Sequence, residues 1–228
     1  MSRRRPCIAI DGPVAAGKST IARMVAAKLG FTYIDSGAMY RALAWAAIER
    51  KIDTSEAAAA VALLGRLRIT LAPQPGGANV VYVEDEDVTG EIRTQQIGDL
   101  ASRLSEIPEV RARMVALQQE MARDGGVVME GRDIQTVVLP DAEVKIFLTA
   151  PAEERAERRR LELKQRGYAA SYDEVLAEIK GRDTRDTTRE HSPLRAAPDA
   201  VHIDTGGLTI GQVAERVLEA VRGRATDE

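Results

Sequence analysis

Residues 8–20 read IAIDGPVAAGKST. An apolar, strand-like run from Cys7 to Ile10 meets a glycine-rich turn, and a lysine, two hydroxyls and a helix-like run follow. Gly12, Gly17, Lys18 and Ser19 fit the spacing Gly-x4-Gly-Lys-Ser/Thr, a loop whose backbone N–H groups cradle phosphates. Geometry assigns the parts. Gly12 and Gly17 let the backbone close round the phosphates, and the helix starting near Lys18 points its N-terminus at them. Lys18 is placed to bridge the β- and γ-phosphates, and Ser19 to offer its hydroxyl to Mg²⁺. Pro13, Val14, Ala15, Ala16 and Thr20 complete the expected donor-binding loop. The loop implies a bound phosphate chain. It leaves open whether that chain is a fuel, a switch signal or a group to be handed on.

Working outward, buried-strand runs alternate with helical patterns. Residues 7–11 read as a strand. Residues 18–29 read as a helix, with Ile21, Met24, Val25 and Leu29 on one face and Gly30 as its stop. Residues 31–35 (FTYID) read as a strand and 38–51 as an alanine-rich helix. VVME (127–130) and VKIFLTA (144–150) read as buried strands. Pro151 suits the first turn of a long charged helix. DAVHIDT (199–205) is the last strand and 210–221 the last helix. This alternation predicts an α/β fold: a parallel sheet of P-loop NTPase type, flanked by helices. Residues 66–94 break the rhythm. Two strand-like runs around PQPGGAN read as a β-hairpin, a small antiparallel insert that packs on the core rather than joining it. The ends, 1–5 and 223–228, read as disordered.

The chain has 228 residues, enough for one domain with a real core and a small insert. Hydrophobic residues at 44% and charged residues at 29% are those of a soluble globular protein. A net charge of −3 argues against a general affinity for nucleic acid or acidic membranes, so an anion site must be local. The single cysteine, Cys7, excludes an intramolecular disulfide. The apolar run after MSRRRP is too short for a signal peptide, and none approaches the roughly 20 residues of a membrane helix. The expectation is a cytoplasmic protein.

Arginines gather in three places. In IDSGAMYR (34–41), Ser36 is expected to cap a helix at the ligand edge of the sheet, with Tyr40 and Arg41 on its first turns. An anion site and a plain cap beside a surface arginine both fit. In EGRDIQTVVLP (130–140), Glu130, Arg132 and Asp133 crowd the end of a buried strand, as a ligand site or as an ion-paired loop. In EIKGRDTRDTTRE (178–190), spacings of three, four and seven put Arg182, Arg185 and Arg189 on one helical face. A solvated charged helix is the default for such a run. A one-sided guanidinium stripe instead suits a polyanion. A fourth run, 154–168, contains Arg158 and reads as a surface helix or as a lid over the donor phosphates. A P-loop facing an arginine-lined cleft suits phosphoryl transfer to an anionic acceptor.

The segments IDGPVAAGKST, DSGAMYR, DVTGEIRT, EGRDIQTVVLP and EIKGRDTRDTTR occur in the order and spacing of the bacterial cytidylate kinases, a branch of the nucleoside monophosphate kinases. The resemblance runs from about Pro6 to Val221. It implies ATP as phosphoryl donor, Mg²⁺, and CMP or dCMP as acceptor; a monomer is expected. It implies a core (6–62, 106–153 and 168–222), an acceptor-binding insert (about 63–105) and a short lid (about 154–167). By the same resemblance, Gly12 to Thr20 and Arg158 bind ATP, and Ser36, Arg41 and Arg132 hold the CMP phosphate. Tyr40 joins the acceptor site, and Arg182 and Asp186 contact the acceptor's phosphate and ribose. Ser102, Arg111, Asp133 and Arg189 read the cytosine. Lys18, Arg132, Arg182 and Arg185 are the expected catalytic cations. The chain departs from the family where Val14 and Ala15 replace glycine or serine, and only an altered loop surface is expected there. Gln135 stands where glycine is usual, which would strain the loop if φ were positive. Glu130 replaces an aspartate found in some relatives. Two rivals remain: a P-loop kinase for another small acceptor, and a nucleotide-dependent switch.

Overall fold

A computed structural model describes residues 5–74, 77–165 and 167–225. In chain order the first elements are β1 (Arg5–Asp11), α1 (Lys18–Leu29), β2 (Thr32–Asp35), α2 (Ser36–Glu49) and α3 (Ala57–Arg66). A second group is β3 (Ile69–Pro73), β4 (Asn79–Val83), β5 (Glu86–Asp87), α4 (Gln95–Leu104) and α5 (Pro108–Met121). The last group is β6 (Gly125–Gly131), β7 (Val144–Thr149), α6 (Ala152–Gln165), α7 (Tyr172–Thr188), β8 (Val201–Asp204) and α8 (Ile210–Ala225).

Five strands form a parallel sheet in the order β2-β6-β1-β7-β8. Its central strands are buried on both faces, which is why they read as unbroken apolar runs. Ile8 and Ile10 pack with Ile21 and Val25 of α1 and Val213 and Val217 of α8. Ala9 and Met129 face the opposite layer with Ile34 and Val138. Each such aliphatic side chain contributes about 1.5–3 kcal/mol by burial. The register sets Ile10 and Asp35 each beside Glu130, and Asp11 beside Gly131. Three strands therefore end level, and three carboxylates line one edge of the sheet.

The hairpin expected at 66–94 is present as β3 and β4, and the two-residue β5 extends it to an antiparallel sheet of three strands. Its Val81 and Val83 pack with Met39 and Leu43 of α2, Leu64 of α3 and Met114 of α5. Pro75 and Gly76 of its turn lie outside the described residues. Helices α3, α4 and α5 fill stretches to which the sequence assigned no element.

Several expectations are corrected. Helix α2 starts at Ser36, not Ala38, and its cap is Asp35, whose Oδ1 accepts from Ala38 N at 2.9 Å. Arg5 belongs to β1 and residues 223–225 to α8, although both ends read as disordered. Arg5 donates to Gly30 O at 3.2 Å and Arg224 to Asp199 O at 3.2 Å, which ties these segments down. Residues 1–4 and 226–228 lie outside the described residues, as does Arg166 within the expected lid. Gln135 does not take a positive φ. It lies in a π-helical turn, 134–138, and its buried amide donates to Ile146 O at 3.3 Å and accepts from Ala197 N at 2.9 Å. It braces the loop rather than straining it.

Candidate active site

A cleft of ≈ 820 Å³ opens at the carboxyl edge of the large sheet, between the P-loop, the ends of β2 and β6, and helices α4 to α7. On the P-loop side the two glycines differ in purpose. A Cβ on Gly12 would fall 2.1 Å from Leu148 O, so Gly12 lets the loop base press against β7. Gly17 has φ 89, a left-handed conformation that favours glycine, and no side chain caps α1 after it. The first N–H groups of α1 are left to an anion. Ala15 also takes a left-handed conformation, φ 59. Relative to glycine, alanine there costs backbone energy, roughly 1–2 kcal/mol, as well as altering the loop surface.

Lys18 is 5% exposed and donates from Nζ to Pro13 O at 2.7 Å. Burial first, and the nearby charge of Arg132 second, bring its pKa down to about 7. Ser19 donates its hydroxyl to Glu130 Oε1, which also accepts from Tyr33 OH at 3.0 Å. Burial, and next the carboxylate of Glu130, push the Tyr33 phenol pKa well above its ordinary value. Ser19 and Glu130 together present hydroxyl and carboxylate oxygens, the donors a hard cation such as Mg²⁺ takes. Among the described residues no three His, Cys, Asp or Glu side chains cluster as a metal cage. Mg²⁺ bound through one or two side chains and substrate phosphates needs none.

The facing wall is cationic. Arg132 donates from Nε to Asp186 Oδ2 at 2.8 Å, and Arg41 from Nη2 to Asp35 at 2.7 Å. Ser36 donates to Glu130 O at 2.7 Å, so its hydroxyl ties α2 to β6 instead of capping the helix. Arg111 is ion-paired to Asp133 through Oδ2, and Arg189 lies 4.0 Å from Oδ1. All three of these side chains are 6–7% exposed. Arg111 lies 6.0 Å over the ring of Tyr40, whose pKa burial raises to about 12. Arg189 is aimed by its Nε bond to Ser192 O, 2.6 Å. Several buried guanidinium nitrogens have no hydrogen-bond partner: Arg111 Nε, Arg182 Nε and Arg189 Nη2. Burial, then the charge of Arg132, lowers the Arg182 pKa. Burial, then the charge of Arg111, lowers that of Arg189. Buried cations that repel one another and lack acceptors make a site that an anion would complete.

The cleft brings together residues 14–20 with Ser36, Tyr40, Arg41, Ser102, Arg111, Arg132, Asp133, Arg158, Arg182, Asp186 and Arg189. Arg158 is held against Thr205 by two bonds of 2.8 Å. Gly12 and Pro13 lie under the loop and do not line the cleft. Arg185 does not line it either and is exposed. The expected stripe of Arg182, Arg185 and Arg189 is therefore corrected: the inward side of α7 carries Arg182 and the buried Asp186, with Arg189 at its C-cap. Sequence reasoning missed Glu130 as the partner of Ser19. It also missed Asp11, fully buried, which accepts from Ile134 N at 3.0 Å and Gln135 N at 2.8 Å. Burial raises the Asp11 pKa to about 6. Asp11 fixes the loop that carries Arg132 and Asp133 to the strand that carries the P-loop.

This sheet order, with a P-loop after its central strand, places the chain in the P-loop NTPase class of α/β folds. A gluconokinase from Sinorhizobium meliloti 1021 shares that fold at 14% identity and a TM-score of 0.50, over 99% of this chain and 96% of that one. More specifically, the chain belongs to the cytidylate kinase family, whose model matches residues 8–223. It is 49% identical over 222 residues to the cytidylate kinase of Bacillus licheniformis, covering 97% of this chain and 98% of that protein. It is 51% identical over 221 residues to that of Geobacillus thermodenitrificans, with the same coverage. It is a phosphotransferase.

Proposed function

We propose that this chain transfers the γ-phosphoryl group of ATP to the phosphate of CMP or dCMP, giving ADP and CDP or dCDP. The observation that carries the proposal is the buried cation cluster between the P-loop and Asp133: Lys18, Arg132, Arg182 and Arg189, with guanidinium nitrogens lacking acceptors. Two polyanions fit such a space, and one alone would leave part of it unpaired.

The residues divide the work. The N–H groups of residues 14–20 and Lys18 hold the donor phosphates, and Arg158 closes over them from α6. Arg41 and Arg132 hold the acceptor phosphate, with Ser36 fixing α2 beside them. Ser102, Tyr40, Arg111, Asp133 and Arg189 surround the base, and Arg182 and Asp186 the phosphate and ribose side. An oxygen of the acceptor phosphate attacks the γ-phosphorus. The bond from that phosphorus to the β,γ-bridging oxygen breaks, and its electron pair leaves with ADP. Little covalent chemistry is asked of the protein, so positioning and charge neutralisation carry the rate. Ser19 and Glu130 would hold Mg²⁺, which when bound screens charge on the β- and γ-phosphates. Asp133 accepts from the cytosine N4 amine, whereas uracil presents an acceptor there. The second sheet with α4 serves as the acceptor-binding insert and α6 as the lid. Among the described residues no helix is long and apolar enough to cross a membrane, and a cytoplasmic monomer is part of the proposal.

ADP release measured with CMP, dCMP, UMP, AMP and shikimate tests this. CMP and dCMP should exceed the others by about 100-fold in kcat/KM, since a site built to hydrogen-bond one group rejects its mismatch strongly. Turnover without any acceptor should be negligible. Preference for another acceptor would replace the substrate assignment, and acceptor-independent hydrolysis would favour a switch.

A further inference from the structure

Arg155 is a buried cation that the chemistry above does not use. It lies in the first turns of α6, 5% exposed, and makes four hydrogen bonds. Nε donates to Ala150 O at 2.9 Å, just past the end of β7. Nη1 donates to Val14 O in the P-loop and to Asp183 Oδ1, both at 3.1 Å. Nη2 donates to Asp183 Oδ2 at 2.6 Å. The pair is a bidentate fork, the geometry in which arginine and carboxylate fix direction as well as distance. Asp183 sits on α7 between Arg182 and Asp186, both of which line the cleft. One guanidinium thus spans the donor loop, the end of the sheet and the helix of the acceptor wall.

An apolar contact runs beside this bridge. Val14 and Ala15 pack against Ala156 and Leu163 of α6 and Val175 and Ile179 of α7. The part of the P-loop joined to α6 and α7 includes Ala15, whose left-handed backbone is disfavoured for a residue with a Cβ. Within the loop, Ala16 N donates to Pro13 O at 3.4 Å and Lys18 Nζ to the same oxygen at 2.7 Å. From outside the loop, the apolar contacts with α6 and α7 add to these, and Arg155 supplies the polar one, at Val14 O.

We propose that Arg155 is a positioning residue for phosphoryl transfer. It locks the P-loop crest to α7, so that the donor cradle and the acceptor-facing Arg182 and Asp186 hold one mutual geometry. In-line transfer depends on that geometry, and a misplacement of about 1 Å can cost about 100-fold in rate. The inference rests on the phosphoryl-transfer reading, and CMP-dependent turnover by the unaltered chain checks that reading separately.

The test is a double-mutant cycle in the full chain: Arg155→Lys, Asp183→Asn and both together, read in kcat, in KM for each substrate and in the thermal midpoint. Each single variant should lower kcat by about 10- to 100-fold, with each KM within about threefold of the unaltered chain. The double variant should be about as slow as either single one, because the two side chains act as one unit. Asp183→Glu, which keeps the charge, should recover most of the rate. Should Arg155→Lys not fold, Asp183→Asn, altered on the more exposed partner, decides alone. A folded Asp183→Asn variant with kcat within about twofold of the unaltered chain overturns the proposal, as does a double variant whose loss is the product of the single losses. A lowered midpoint with intact kcat would show a bridge that serves folding only.

Discussion

Asp133→Asn probes base recognition with the least damage to the site. Asp133 and Arg111 are both buried, and Arg189 stands 4.0 Å from the free carboxylate oxygen. Truncation to alanine would strip two buried guanidiniums of their nearest counter-charge, at a cost of about 3–5 kcal/mol. That is a large part of a typical stability of roughly 5–15 kcal/mol, so a lost activity would be ambiguous. Asparagine keeps the shape and one acceptor oxygen. Arg111 already donates to Oδ2, so the asparagine oxygen should stay with Arg111 and its NH₂ should face the base. CMP then loses a charge-assisted hydrogen bond worth about 1.5–3 kcal/mol. At about 1.4 kcal/mol per tenfold, kcat/KM for CMP should fall by roughly 10- to 150-fold. UMP presents a carbonyl to the new donor and should hold or improve. Initial rates of ADP release with each acceptor, beside circular dichroism to confirm folding, measure the ratio. An equal loss for CMP and UMP would make Asp133 a purely structural counter-ion to the arginines.

Three further outcomes are expected. Lys18 has its pKa brought down to about 7, so near pH 8.5 it is mostly neutral in the free protein. A bound triphosphate favours the charged form, so binding a non-hydrolysable ATP analogue at that pH should take up nearly one proton. Calorimetry in buffers of different ionisation enthalpy should show this uptake, and Lys18→Met should abolish it. Glu130→Gln should raise the Mg²⁺ concentration needed for half-maximal rate by about 10- to 100-fold, the usual effect of altering a group around a metal site. An unchanged Mg²⁺ titration would remove Glu130 from that role. Ala15→Gly relieves a left-handed alanine and should raise the thermal midpoint by about 2–4 °C per kcal/mol gained. A fall would mean that the lost methyl contact with α6 and α7 outweighs the relief.

Features carried by neighbours in the chain were legible from sequence. The P-loop, its flanking strand and helix, and the hairpin turn each declare themselves within about twenty residues. Partnerships across the sheet did not. Ser19 meets Glu130 across 111 positions and Asp11 meets Ile134 across 123, because β1 and β6 are neighbours only after the intervening chain is folded away. Arg155 and Arg158 stand in one charged run, and nothing local says that the first is buried against the P-loop while the second is held on Thr205. Arg185 was misplaced because its spacings of three and four suit a face broadly. The buried residue beside it, Asp186, defines the inward side, and a residue one position away lies about 100° round the helix. Ser36 looked like a cap because serine commonly is one, yet Asp35 precedes it and takes the role.

On the proposed function, the cleft hands the phosphoryl group to a phosphate and not to water. Phosphorus-31 NMR of a mixture of ATP, Mg²⁺, CMP and the protein follows this atom by atom. The γ-phosphate signal of ATP should be replaced, one for one, by the β-phosphate signal of CDP, with inorganic phosphate remaining at background. Growth of inorganic phosphate while the CMP signal persists would contradict the proposed function.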